Sequence, residues 1–292
     1  MRKSLYTRYS KDIDMIAKDL MTKDYAKIDK SRSVSKLIGE FIRTKKRAAV
    51  VFDGKKYVGI TSRKTLIRTK LDPAQLKVSH LVENVPKLNG KEDIAEVAHL
   101  LYTADTFILP VIEKQIVVGV VDIIDVVNQL KTMPEHNGMI KDIMTLEPIV
   151  IDENSGIGEA ISVMKEKKIS RIPIVDKRGN LLNLVSIADV LEHYYLGLQH
   201  KAEQGTRKSA KGVKSGAVDV GGKERDFNSY PINNLTSAVS ITGKENETVS
   251  NILDKMDEFN ISSLVIVRDN KPIGIVTVRD LLKLFMKDKL TY

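Results

Sequence analysis

At three places in this chain a carboxylate stands three residues after a hydroxyl or a second carboxylate: Thr277 and Asp280, Ser186 and Asp189, Asp122 and Asp125. Each pair closes a short apolar run and opens a stretch of helical spacing, so it sits where a strand hands over to a helix. Two kinds of chemistry suit such a place. The free N–H groups and dipole of a helix N-terminus attract anions. An ionised carboxylate accepts strongly from a diol. The same Ser/Thr-x-x-Asp spacing is also close to a capping box, which is worth about 1 kcal/mol of helix stability with no ligand involved. On the sequence alone both readings stand.

The elements that must position these residues recur four times. The apolar segments Val58–Ser62, Val118–Asp122, Leu182–Ser186 and Ile273–Thr277 each follow another short apolar run: Ala49–Phe52, Ile108–Ile112, Ile172–Val175 and Leu264–Val267. Short turns such as Asp53–Gly54 and Asp269–Lys271 separate the runs, so each pair reads as a hairpin. Upstream of each hairpin lies a helical stretch, Val34–Ile42, Asp93–Leu101, Ile157–Met164 and Val249–Met256, apolar at spacings of three and four. A short β-like run precedes three of these, clearest at Pro148–Ile151. Each unit therefore reads strand–helix–strand–strand–helix, an α/β (α+β) fold repeated four times. The expected divisions are a basic tail over 1–15, repeats over 16–73, 74–135, 136–195 and 228–292, and a Gly/Lys-rich insertion over 196–227 that reads as a flexible loop.

The net charge of +9 is concentrated, because residues 1–73 hold 20 Lys and Arg against 8 Asp and Glu. A local excess of this kind is the footprint of a polyanion site or a solvated, solubilising face. The basic set comprises Arg2, Lys3 and Arg8 in the tail, Lys45, Lys46, Arg47, Arg63 and Lys64 in the first repeat, and Arg207, Lys208, Lys211 and Lys214 in the insertion. The chain has no Cys, which excludes disulfides and thiolate metal sites. Its apolar runs are too short to span a bilayer, and a soluble, cytoplasmic protein without a membrane partner is expected. The five His residues show no ligand spacing, so no metal is expected. Neither a phosphate loop of the GxxxxGK type nor a Gly-x-Ser-x-Gly elbow occurs, and no catalytic constellation emerges.

The four units resemble CBS domains, the repeats named after cystathionine β-synthase. The signature of that family is Gly, two apolar residues, Ser or Thr, two variable residues and Asp. Gly274–Ile275–Val276–Thr277–Val278–Arg279–Asp280 matches it throughout. Asn183–Leu184–Val185–Ser186–Ile187–Ala188–Asp189 differs at the Gly, Gly119–Val120–Val121–Asp122–Ile123–Ile124–Asp125 at the hydroxyl, and Gly59–Ile60–Thr61–Ser62–Arg63–Lys64–Thr65 at the final Asp. The resemblance implies repeats paired into two Bateman modules, in a disc-like arrangement similar to the γ subunits of AMP-activated protein kinase. It implies clefts that hold AMP, ADP, ATP or S-adenosylmethionine. There the Asp would take the ribose hydroxyls, the Ser or Thr would lie near ribose or phosphate, and the partner's first hairpin strand would contact phosphates.

Carried onto this chain, the resemblance puts Thr277 and Asp280 opposite Ser170 and Arg171, the first choice of site. It puts Asp125 opposite Arg47, with Asp122 repelling phosphate, and Ser186 with Asp189 opposite Ser262 and Ser263, where no cation stands. Thr65 would face Phe107 and Ile108 at a site without nucleotide. The expected function is that of a non-catalytic regulator, binding an adenosine compound and controlling a separate effector protein. The alternative is a translation regulator that binds RNA or the ribosome through the basic set, as a hibernation factor would. A homodimer is a further expectation.

Overall fold

The computed structural model describes residues 15–67, 76–133, 138–194, 217–219, 224–226, 229–235 and 241–286. All four hairpins are present: Ala48–Asp53 with Lys56–Ser62, Ile108–Glu113 with Ile116–Asp122, Arg171–Val175 with Leu181–Ser186, and Ser263–Arg268 with Lys271–Thr277. Side chains that accept from backbone N–H groups start the helices before them. Ser33 accepts from Lys36 N, Asp93 from Glu96 N and Thr248 from Asn251 N. The helix Val34–Thr44 buries Val34, Leu37, Ile38 and Phe41 on one face and ends at Lys45, whose backbone is left-handed.

Before the helix in three repeats a short strand pairs in parallel with the first hairpin strand. These strands are Ala26–Asp29, Ile151–Asp152 and Thr242–Gly243. In the second repeat the pairing shrinks to one bridge, Leu88 to Val111. The expected strand Pro148–Ile151 starts late: Ile149 and Val150 stay exposed, and pairing begins only at Ile151. The insertion was expected to be loop throughout. Of its described residues, Ala217–Asp219 and Glu224–Asp226 form an antiparallel pair.

The segment that leads into each repeat packs on the neighbouring repeat, not on its own. Thr22 bridges Val120, and Ala17 and Leu20 enter the core of the second repeat. In exchange, Glu83 bridges Ile60 while Val78 and Leu81 enter the core of the first. The second module repeats the exchange. Thr145–Leu146 pairs with the last hairpin strand of the fourth repeat, and Pro231 bridges Gly156 at the third. The signature glycines mark these crossings. A Cβ on Gly59 would stand 2.7 Å from Glu83 O, and one on Gly119 would stand 2.8 Å from Thr22 O. On Gly274 it would stand 2.6 Å from Met144 Sδ and 3.2 Å from Thr145 O.

The four repeats close a ring. Ala48, Val50 and Ile60 of the first sheet pack on Ile108 and Val120 of the second. One core joins the second and fourth repeats, and another joins the first and third. The third hairpin meets the fourth through Leu181 N, which donates to Asn270 O at 2.8 Å. A polar pin ties three repeats together, since Asp105 accepts from Lys64 Nζ and Arg279 Nη1, both at 2.5 Å. The Asp105 side chain is 44% exposed, so Asp105→Asn is expected to cost on the order of 1 kcal/mol or less in a denaturant melt.

Candidate functional site

All four repeats line one central cavity of about 1040 Å³. Exposed residues such as Asp24, Lys45, Glu192 and Phe259 form its rim. Three arginines face into it. Arg47 precedes the first hairpin strand, and Arg63 opens the helix Arg63–Ile67. Arg171 opens the strand Arg171–Val175. All three are half-buried. Burial and the nearby Arg47 and Arg63 charges pull the Arg171 guanidinium down to about 10, with Asp189 opposing. Burial and Arg47 lower Arg63 as well, and burial lowers Arg47.

Few of their donors are used. Arg171 donates to Ser170 Oγ at 3.2 Å and to Ser262 Oγ. Arg63 donates to Phe41 O at 2.9 Å, and its Nε is buried with no hydrogen-bond partner. The Arg47 side chain makes no hydrogen bond to a described residue.

The signature pairs differ in what remains open to a ligand. Asp189 Oδ2 accepts from Ser186 N at 2.7 Å and from Ser186 Oγ at 2.6 Å. Its Oδ1 makes no hydrogen bond with a described residue, and both Ser186 and Asp189 line the cavity beside Ser262, Ser263 and Arg171. Asp280 Oδ2 accepts from Thr277 N at 2.9 Å and Oγ1 at 2.8 Å, and its Oδ1 is 3.1 Å from Lys283 Nζ. Thr277 and Asp280 thus form a complete capping box with both oxygens engaged, and neither lines the cavity. The structure therefore brings Ser170 and Arg171 together with Ser186 and Asp189. Ser262 and Ser263 carry no charge themselves, but the Arg171 guanidinium donates to Ser262 Oγ.

Asp125 and Arg47 line the cavity together with Asp122, the N-cap of the helix Ile123–Asn128 that carries Asp125. Asp122 accepts from Ile124 N at 2.9 Å. Burial pushes its carboxyl up, against that hydrogen bond and the pull of Arg47 and Lys46; burial and Asp122 push Asp125 up. A carboxyl whose folded pKa exceeds its unfolded 3.8 adds stability below 3.8, and that stability is lost as pH rises through the folded value. Asp122→Asn removes the loss and can still cap. It is expected to melt higher than the parent near neutral pH and to vary less with pH above about 4, as a calorimetric pH series would show. Thr65, at the position of the missing Asp, bonds Ser62 Oγ at 3.0 Å and donates to Glu83 at 3.1 Å, beside a separate cavity of about 310 Å³.

The basic residues of the first repeat divide between the cavity and the outer face, where Arg43, Lys55 and Lys56 are exposed. Lys45, Lys46, Arg47, Arg63 and Lys64 all line the central cavity. Lys46 is held by Asp24 at 2.8 Å and Lys64 by Asp105. Arg2, Lys3, Arg8, Arg207, Lys208, Lys211 and Lys214 lie outside the described residues. A sequence signal for the inward turn of Arg63 did exist. The corresponding residues of the other repeats, Ile123, Ile187 and Val278, are all apolar and buried. The Ser262 partner of Arg171 carried no such signal. Among the described residues no group of three or more His, Cys, Asp or Glu could hold a metal ion, and no helix is long and apolar enough to cross a membrane.

The CBS-domain family model matches residues 17–72, 140–195 and 238–287, together more than half of the chain. The chain belongs to the CBS-domain family. Its second repeat lies between the matched spans and has the same hairpin and helices. An uncharacterised 33.4 kDa protein in the ribosomal RNA operon of Thermofilum pendens is 27% identical over 209 residues, 71% of this chain and 64% of that protein. An uncharacterised Methanocaldococcus jannaschii protein is 24% identical over 275 residues, 91% of this chain and 61% of that protein. The CBS-domain chain thus spans less than two thirds of the length of each relative. Among solved structures, an M. jannaschii protein described as an archaeal homologue of γ-AMPK has a TM-score of 0.76 at 19% identity, covering 93% of this chain and 100% of that one. A conserved protein of Pyrococcus horikoshii scores 0.60 at 20% identity with the same coverage. These likenesses establish the four-repeat CBS fold.

Proposed function

We propose that this CBS-domain chain is a non-catalytic regulatory protein that binds an adenosine compound in the central cavity and passes its occupancy to a separate effector protein. The observation that carries the reading is the grouping of Ser186, Asp189, Ser262 and Arg171 on one cavity wall, with Asp189 Oδ1 open to a donor. A ribose diol donates to a carboxylate, and a guanidinium takes the phosphate. Asp125 with Arg47 and Asp122 offers a second, more acidic place in the same cavity. Titration calorimetry of the whole chain with adenosine, AMP, ATP and S-adenosylmethionine is the test. Saturable binding of at least one supports the reading; heatless titrations confirmed by equilibrium dialysis without retention would sink it.

The second reading is binding to RNA or the ribosome. It draws on the relative in a ribosomal RNA operon and on the basic tail and insertion. The cavity position of Lys45, Lys46, Arg47, Arg63 and Lys64, the residues of the first repeat on which that reading leans, favours the first reading over it. If the second holds, affinity for ribosomal RNA falls steeply with salt.

A further inference from the structure

The turn at Asn89 and Gly90 seats the leading segment of the first repeat on the second. Ahead of it, Leu88 is buried and its N donates to Pro110 O at 2.9 Å. The seat itself is made of backbone: Lys18 N donates to Gly90 O at 3.1 Å, and Ala17 N to Glu92 O at 2.8 Å. Gly90 has φ of 92°, which favours glycine, and no side chain shields its amide nitrogen. Asn89 is exposed. When glycine follows asparagine, the glycine nitrogen can close a five-membered ring on the asparagine amide carbon. Three hydrogen bonds here bear on that reaction. Glu92 Oε2 accepts from Gly90 N at 3.0 Å, where a base must stand to take the proton of the attacking nitrogen. Glu92 Oε1 accepts from Asn89 N at 2.7 Å, which holds the carboxylate in place. Lys91 N donates to Asn89 Oδ1 at 2.9 Å, the oxygen that gains negative charge when the amide carbon is attacked. Asn154 is also exposed but has no such arrangement. It precedes Ser155, whose N donates to the Asp152 backbone carbonyl, and no carboxylate stands at the attacking nitrogen.

We propose that Asn89–Gly90 is a site of self-modification, at which the chain deamidates with Glu92 as base and Lys91 N as oxyanion donor, loosening the seat of the leading segment. Gly90 N attacks Asn89 Cγ and the new N–C bond forms. The Cγ–Nδ2 bond breaks, and ammonia leaves with the proton that Glu92 takes from Gly90 N. Water, the one co-reactant, then opens the succinimide at either carbonyl. Opening at one gives aspartate at position 89, and opening at the other gives isoaspartate. Isoaspartate runs the main chain through the side-chain carbon and so adds a bond to the backbone just before Gly90. Gly90 O and Glu92 O then no longer match the spacing of Lys18 N and Ala17 N. The modification therefore acts on the exchange between first and second repeats, away from the central cavity.

The test is a time course on the whole folded chain at neutral pH, followed by peptide mapping with mass spectrometry and enzymatic methylation of isoaspartate. The peptide holding Asn89 is expected to gain the mass of an amide-to-acid change, with isoaspartate among the products. Glu92→Gln keeps an oxygen for Asn89 N and removes the base, so conversion should slow by about tenfold or more. In urea, parent and Glu92→Gln should convert at one common rate, because the carboxylate no longer stands at the amide. Chains carrying isoaspartate should melt below the parent, whereas Asn89→Asp, which gains the charge without the extra backbone bond, should melt close to it. If Asn89 stays intact in the folded chain over a period that converts it in urea, the site is overturned. Folded Glu92→Gln that converts as fast as the parent overturns the role of the carboxylate. Isoaspartate chains that melt with the parent overturn the effect on the seat.

Discussion

Asp189→Ala is expected to weaken binding of the adenosine compound by about a hundredfold, whereas Asp280→Ala leaves it within about threefold. The contrast comes from geometry, because the two carboxylates share the same signature position. Asp189 faces the cavity with one oxygen unclaimed, and Asp280 is buried with both oxygens spent on Thr277 and Lys283. Losing two charge-assisted hydrogen bonds to a diol is worth a few kcal/mol. Both variants also lose a cap, at about 1 kcal/mol. Melting curves should therefore move alike while calorimetric affinities diverge. Asp189→Asn keeps the cap and separates the two effects. If Asp280→Ala abolished binding and Asp189→Ala spared it, the ligand would belong to the signature of the fourth repeat.

Gly119→Ala is expected to destabilise the chain by about 3 kcal/mol, lowering its melting temperature by roughly 6–10 °C. The added methyl would stand 2.4 Å from Met21 Cγ and 2.8 Å from Thr22 O. Met21 can swing aside, but Thr22 is tied to Val120 through hydrogen bonds of 2.9 and 3.0 Å, so the crossing backbone must shift. Gly54→Ala is the comparison. It has a left-handed backbone, with φ of 60°, but nothing within 4 Å, and should cost only about 1 kcal/mol. Equal losses in the two variants, measured by thermal unfolding, would mean that close approach is not what the signature glycine provides.

Much of this was legible from local pattern. The hairpins and the helices before them follow from apolar spacing, and structure and sequence agree on them within a few residues. Ser33, Asp93 and Thr248 show why, since each caps a helix whose apolar face begins one residue later. The exchange of leading segments was not legible. Val78 and Leu81 look equally apt to cover their own repeat, and only the ring of four decides otherwise. The same limit applied to the site. Thr277 and Asp280 match the signature best, yet a good match to Ser/Thr-x-x-Asp is also a good capping box, and here the cap is complete. Which carboxylate keeps a free oxygen turns on a local detail, Lys283 one helical turn after Asp280, whereas the residues gathered around Asp189 come from far off in sequence, as the Arg171 contact to Ser262 shows.

The exchanged leading segments also bear on how such a chain could arise. A repeat cut out at its apparent boundaries carries a strip meant for its neighbour and lacks the strip that should cover its own glycine edge. Duplicating one repeat would leave one edge bare and one strip without a seat, whereas duplicating two at once leaves every edge covered. An array woven this way gains or loses units in even numbers, and the ribosome must run on into the leading segment of the second repeat before the first can close.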